Sequence, residues 1–438
     1  KARNVTTSTD PMNSSSQSEQ TTKKGAWIPG SIWAISIAIG LMAISVSMTF
    51  SVSPFFMTSV LGLSMFSLGA IEGFSEGLSQ IAKLFSGITG DVFRRKKPTL
   101  LTGFFLAIVS KPLFILASGS GLVIASKLME RISNGVMSTP RDAFVADAAP
   151  ADKKGSCFGL MMSFKTGGCV VGSFLIGGLL LYTDDYLLLL WLGFGAAVIS
   201  ALVLMFFMKE KASTVDENAP KKKKSDALKI RKEDLKSLNW AYWSLLGVAS
   251  VYMCARFSDG FLILRMKELG ASTSLSASVI GIFNMVSVIC CFPIGRLSDK
   301  FDREKVLYFS IVSLILCNIC FIFANSVAVG MMGVIFWGAQ RATSQILFCS
   351  IIADVAPKKI MGTAMGLFFV ASGLIAWLAG ILGGTAADKS LQYTFVFGLA
   401  MSSAALIAHM IRHYYVAKNP PVLEADPEVA EMELPKAA

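Results

Sequence analysis

Apolar residues run through this chain in long, nearly unbroken stretches, and polar positions gather in the short segments between them. Windows of about 20 residues, the length a helix needs to cross the hydrocarbon of a bilayer, give twelve candidate spans. They fall at roughly 31–55, 64–89, 98–118, 121–146, 156–181, 185–208, 238–266, 273–294, 304–325, 327–353, 362–386 and 391–416. The stretches are continuous and do not alternate with a period of two, so they predict membrane helices and not the strands of a barrel. Residues 1–27, rich in Ser, Thr, Asn and Gln, have no apolar run and read as a disordered cytoplasmic tail; residues 417–438, with Pro and Glu, read as a second one.

The pattern also repeats. Ala146-Asp147-Ala148-Ala149-Pro150, with Gly155 and Gly159-Leu160 after it, returns as Ala353-Asp354-Val355-Ala356-Pro357, with Gly362 and Gly366-Leu367. Gly87 with Asp91 returns at nearly the same offset as Gly295 with Asp299. Two copies of one unit are therefore predicted: an all-α membrane protein with a six-helix bundle over 28–208, a basic linker over 209–237 and a second bundle over 238–416. Duplicated bundles of membrane helices point to a transporter with its site at mid-depth between them.

Composition agrees, with 53% hydrophobic and 16% charged residues and a mean hydropathy of +0.60, more apolar surface than a soluble globule can hide. The net charge of +11 changes the picture only through its placement. Arg94 to Lys97, Lys153-Lys154, Lys221 to Lys224, Lys300 to Lys305 and Lys358-Lys359 occupy alternate loops, and the remaining loops carry almost no Lys or Arg. This positive-inside pattern puts both termini in the cytoplasm; the bilayer and not nucleic acid is the expected partner, and the basic linker reads as a solvated loop in preference to one resting on anionic headgroups.

Catalytic chemistry has no footing. No Ser-His-Asp set, phosphate-cradling Gly loop or zinc spacing is present. The eight cysteines lie in or beside spans, and Cys317-x-x-Cys320 lies inside one without a second pair or a His nearby, so it reads as packing and no metal or cofactor is expected. His409 and His413 are expected to anchor the last span at the interface.

From Gly87 to Lys96 the chain resembles the cytoplasmic signature of the major facilitator superfamily, Gly-x-x-x-Asp-Arg/Lys-x-Gly-Arg-Arg/Lys. It keeps Gly87, Asp91 and the closing basic residues, and has Val92 and Arg94 at a basic and a Gly position. The second copy keeps Gly295, Asp299, Lys300 and Arg303. The resemblance covers nearly the whole chain outside the tails. It implies two pseudo-symmetric six-helix bundles, alternating access, and a cytoplasmic lock made of Gly87, Asp91, Arg94, Arg95, Asp142, Gly295, Asp299 and Arg303, with Asp142 the acid for Arg94 or Arg95. Arg131-x-x-x-Gly135 is similar to a fourth-helix motif of proton-coupled members. Gly159, Gly168 and Gly172 match a fifth-helix antiporter motif, but Ser173 stands where that motif has Pro. Ile71-Glu72-Gly73, Ser110-Lys111-Pro112 and Pro140-Arg141-Asp142-Ala143 look like a prokaryotic subgroup; a bacterial inner membrane is the expected location and a monomer the expected state.

Charges present in one half only are candidates for function, because an ionisable group at membrane depth costs several kcal/mol unless paired or hydrated. Glu72 and Glu76, four residues apart on one helix face, are candidates for proton coupling. Glu76 with Lys111 is an equally weighted structural pair. Lys127 with Glu130, and Arg256 with Asp259, are spaced to compensate along one helix. Arg131, Lys165 and Arg341 then lack partners, and with Arg256 they form the expected binding set for an anion, since the guanidinium fork suits carboxylate or phosphate. Three functions follow in order: a proton-linked symporter of a small organic anion, such as a polycarboxylate or its metal chelate; a multidrug or metabolite/proton export antiporter; and a membrane receptor that does not transport.

Overall fold

The computed structural model describes residues 28–89, 96–150, 153–208, 238–300, 302–357 and 360–418. Only the backbone course is given for Lys83, Gly87, Gly295 and Asp299, and Asp91, Arg94, Arg95 and the tails lie outside the described residues.

The protein is built from helices. The first half contains α1 (Gly30–Phe55, continued by a π turn Phe56–Val60), α2 (Met65–Thr89), α3 (Lys96–Ile115), α4 (Ser120–Ala148), α5 (Lys154–Leu179) and α6 (Tyr186–Phe207). The second contains α7 (Trp240–Cys254), α8 (Asp259–Glu268), α9 (Thr273–Lys300), α10 (Arg303–Phe323), α11 (Val327–Val355), α12 (Met361–Lys389) and α13 (Leu391–Lys418). Side-chain caps mark several starts: Asp185 accepts from the N–H of Leu187 and Leu188, Asn239 from that of Tyr242, and Asp302 from that of Glu304.

Two six-helix bundles result. In the first, α1 packs on α5 and α6, and α3 on α4 and α6; in the second, α11 packs on α9 and α10, and α13 on α7 and α10. The seventh predicted span is the one departure from twelve continuous helices. It breaks after Cys254, where the N–H groups of Ala255 and Arg256 turn back to the carbonyls of Tyr252 and Met253, and it restarts at Asp259, capped by the Ser258 hydroxyl on the N–H of Gly260.

The bundles meet chiefly through α2 against α12 and α5 against α9. Both seams are lined by residues too small to hold the backbones apart. A Cβ placed on Gly77 would lie 2.5 Å from the carbonyl oxygen of Gly373, and one on Gly373 would lie 2.7 Å from that of Gly77. On the other seam the Ser274 hydroxyl donates to the carbonyl of Gly177 at 2.6 Å. Small residues permit this approach, and dispersion between the backbones then holds it. The seams run along the ends of these helices remote from Lys96-Lys97, Lys154 and Lys300, that is, toward the loops poor in Lys and Arg.

Among the described residues nine spans are long and apolar enough to cross a membrane on length and composition. Helices α2, α4 and α11 fall outside that set, and they carry Glu72, Glu76, Lys127, Glu130, Arg131 and Arg341. Their lower hydropathy is the cost of the polar interior that they line.

Candidate functional site

At mid-height, where the bundles face each other, lies a cavity of about 570 Å3 of empty space, open solvent included. Its ionisable wall comes from four places: Glu72 and Glu76 on α2, Arg131 on α4, Arg256 and Asp259 on either side of the break between α7 and α8, and Arg341 on α11. The break brings Arg256 and the N-terminus of α8 to the wall. Unpaired N–H groups and the positive end of a helix favour negative charge there, and Asp259, the first residue of α8, already supplies some.

The pairings differ from those the spacing implied. Arg341 is not free: its Nη1 donates to both oxygens of Asp259, at 3.0 and 2.9 Å, and the indole N–H of Trp337 adds a third bond to the same carboxylate at 2.8 Å. Arg256 and Asp259 do not compensate along one helix, because the helix ends between them. Lys127 pairs with Glu72 and not with Glu130, its Nζ donating at 2.8 Å while the ammonium lies over the rings of Phe50 and Phe114. Lys111 pairs with Glu130 at 3.4 Å and not with Glu76. In each case the acid comes from a neighbouring helix, so the pair fastens two helices (α2 to α4, α3 to α4), which a pair along one helix cannot do.

Arg131 donates through Nε to the Ser75 hydroxyl at 2.7 Å and makes no ion pair among the described residues. Glu76 accepts from the Gln80 amide at 3.0 Å. Arg256 is poorly satisfied: its Nη1 reaches the Met253 sulfur at 3.7 Å, its Nε is buried with no partner among the described residues, and Glu76 and Asp259 act on it only through space. Lys165 lies on the same side of α5 as Cys169, which feels both Lys165 and Arg341. Lys165 is exposed and lies within electrostatic reach of Arg141 and Asp142. The structure thus brings Arg131, Arg256, Arg341, Glu72 and Glu76 to one cavity and sets Lys165 apart, nearer the basic loops.

Of the residues read as a lock, Asp142 pairs with its neighbour Arg141 at 2.8 Å. Arg303 donates to both oxygens of Asp354, at 2.7 and 2.8 Å. In the first half Lys96 pairs with Asp147. Both pairs span 51 residues and both acids are the Asp of the repeated Ala-Asp-x-Ala-Pro segment. The same tie therefore joins the start of α3 to the end of α4 and the start of α10 to the end of α11. The sequence reading singled out Asp142 and passed over Asp147, although the repeat already marked it. His409 is a further correction: it is fully buried, with Nε2 donating to the carbonyl of Glu304 at 2.9 Å, beside the Arg412–Glu304 pair, so its ring packs inside the protein and is not an exposed anchor.

Comparison with known proteins follows the same line. The family described as Major Facilitator Superfamily matches residues 35–381 and, in a second match, 245–431. An uncharacterized MFS-type transporter of Methanocaldococcus jannaschii is 28% identical over 400 residues, covering 86% of this chain and 94% of the relative. The class H tetracycline resistance protein of Pasteurella multocida is 27% identical over 133 residues, 30% of this chain and 33% of that protein. Among solved structures, the nucleoside transporter NupG superposes with a TM-score of 0.71 at 13% identity over 88% of this chain and 98% of its own. The peptide transporter POT in complex with sulfate superposes with a TM-score of 0.69 at 12% identity over 90% and 95%.

Proposed function

Because the chain belongs to the Major Facilitator Superfamily and is a multi-pass secondary transporter, we propose that it moves a small organic anion together with a proton by alternating access. The observation that carries this reading is Arg256, a guanidinium on the cavity wall with a buried Nε that nothing among the described residues satisfies. A carboxylate, which accepts from such a fork in two places, is the natural complement. Arg131, held to Ser75 on the facing half, is the second contact, so that one anion would bridge both bundles. Lys165 draws anions inward from the basic side. Arg341 keeps Asp259 in place and does not itself receive cargo. The free positive charge is therefore smaller than the spacing of charges implied, which favours an anion with one charged group over a polycarboxylate or its chelate.

The basic loops face the cytoplasm in this reading, in a bacterial inner membrane, with the protein acting as a monomer. The seams on the far side then make this an inward-facing arrangement. Binding of anion and proton biases the bundles toward the opposite one.

A second reading, export of a drug or metabolite against protons, is favoured by the partial likeness to tetracycline resistance proteins and by Gly159, Gly168 and Gly172 of α5. A thermal-shift screen of the detergent-purified protein against organic anions, nucleosides, sugars and lipophilic cations, at acidic and neutral pH, decides between them. Anions are expected to stabilise the wild type and not Arg256→Gln. Stabilisation by lipophilic cations alone would replace the first reading with the second.

A further inference from the structure

Where α10 begins and α13 nears its end, on the side of the basic loops, the second bundle buries a histidine that takes no part in the cavity. His409 is wholly inaccessible to solvent, and Arg412, one turn further along α13, is nearly so. The imidazole donates through Nε2 to the carbonyl of Glu304 at 2.9 Å, and since a carbonyl only accepts, the proton of the neutral ring sits on Nε2. Nδ1 is then a bare acceptor, buried with no partner among the described residues and 3.8 Å from Oε2 of the Glu304 carboxylate. That carboxylate receives Nη1 of Arg412 on both oxygens. Nη2 of Arg412 reaches the carbonyl of Ala241, in the first turn of α7, at 3.4 Å, and its Nε is buried with no partner among the described residues.

Few charges surround the ring. Glu304, Arg412 and His413 act on it electrostatically. From α10 come Glu304 and Tyr308, whose ring lies 4.5 Å from that of His409 and 5.9 Å from that of His413. From α13 come Arg412 and the half-buried His413. Helix α7 carries no charged residue, and its Tyr242 hydroxyl donates to the carbonyl of Ala364 at 2.9 Å. The near half of α12, residues 361–375, has no ionisable side chain. Beside Glu304, Asp302 caps α10, Arg303 is held by Asp354, and Lys305 is exposed. With the imidazole neutral, Glu304 and Arg412 cancel.

We infer that His409 is a pH switch on the hold that α13 keeps on α7. Imidazole is the side chain whose charge ordinarily changes at about pH 6 to 7. A proton taken from water onto Nδ1 turns the bare acceptor into a donor facing Glu304, with no other covalent bond changed, and sets a second cation on a carboxylate that balances only one. The cluster then carries a net positive charge out of water, which is strongly disfavoured without a further partner. Of the two cations Arg412 is the one that can leave. It stands nearer the end of α13 and is weakly held at Nε and Nη2, whereas His409 is enclosed by Tyr308 and bonded to the backbone of Glu304. Arg412 turns to water and releases Ala241, and Glu304 passes to His409. Acidification thus exchanges a tie from α13 to α7 for a closer one from α13 to α10. Helix α7 ends at Cys254, just before Arg256 of the cavity wall, so loosening its start reaches that wall through a single helix. The switch acts with the cavity empty or full.

The test uses the full-length purified protein in detergent, with its histidines labelled with carbon-13 at Cε1. His409 and His413 are the two histidines of the chain, so two signals are expected, told apart with His413→Gln. Between about pH 5 and pH 8 the His409 signal is expected to titrate. Amide exchange of residues 242–248, corrected for the chemical effect of pH and compared with residues 327–333 at the far end of the bundle, is expected to rise about fivefold with the same midpoint, the factor that one hydrogen bond supplies. His413→Gln is expected to keep this rise. His409→Gln, whose amide can still donate to the carbonyl of Glu304, is expected to lose it. A His409 signal that stays fixed across this range, or α7 exchange that is flat or follows the midpoint of His413, overturns the switch, and both are read on the wild type whether or not the variant folds. A rise that persists in His409→Gln overturns it as well.

Discussion

Lys127 shows how one side chain constrains its neighbours. Its ammonium is buried between aromatic rings, and Glu72 is the counter-charge. Removing one member of a buried pair leaves the other uncompensated and costs about 3–5 kcal/mol, whereas removing both with apolar replacements is near neutral. Glu72→Gln is therefore expected to lower unfolding stability in detergent by that amount, and Glu72→Gln with Lys127→Met to recover most of it. Asp259→Asn acts in the opposite sense on binding. It releases Arg341 into the cavity and raises the positive charge there by one, so anions are expected to bind roughly tenfold more tightly, about 1.4 kcal/mol, in a titration followed by thermal shift or calorimetry. The candidate cavity charges could be named from the sequence because each occurs in one half only. Their partners could not. Spacing along the chain links Lys127 to Glu130 and Arg256 to Asp259, while the real partners of Lys127 and Asp259 come from other helices and depend on rotations that periodicity does not fix.

The helices were legible to within about six residues at every end, because a bilayer sets their length and an apolar stretch has few other ways to satisfy its backbone. The break in the seventh span was not. Hydropathy stays high across it, but Ser258-Asp259-Gly260 inside an apolar run is a capping signal that a reading for helix starts, not only for spans, would detect. A second feature of the elements was half legible. The repeated Asp147 and Asp354 announced a common role, and the structure gives it as the tie to Lys96 and to Arg303. These pairs are partly exposed, so Asp147→Asn and Asp354→Asn are each expected to cost no more than about 1 kcal/mol. Since the ties lie in different bundles, the double variant is expected to show the sum within experimental error in a denaturation series.

The two bundles are joined where glycine lets backbone meet backbone, and that seam has no room to yield. Gly77→Leu puts a side chain against the carbonyl of Gly373, which cannot move without moving α12. Spin labels at the exposed positions Ser64 and Lys389, near the adjoining ends of α2 and α12, are expected to report a longer distance in this variant than in the parent. An unchanged distance would mean that the seam closes by some other contact. The duplication made two bundles readable from the sequence, but not which end of them is closed, because that depends on helix faces that both conformations share. The Trp337 indole that holds Asp259 also gives the cavity an optical label. It is almost wholly buried and stacks near Phe257, whereas Trp33, Trp191, Trp240, Trp243 and Trp377 are all more than two-fifths exposed along the outer faces of the helices. With Trp27 replaced by Phe, those five would be quenched in brominated lipid and Trp337 would keep emitting, so changes in the blue-shifted light that survives would follow the occupancy of a single site.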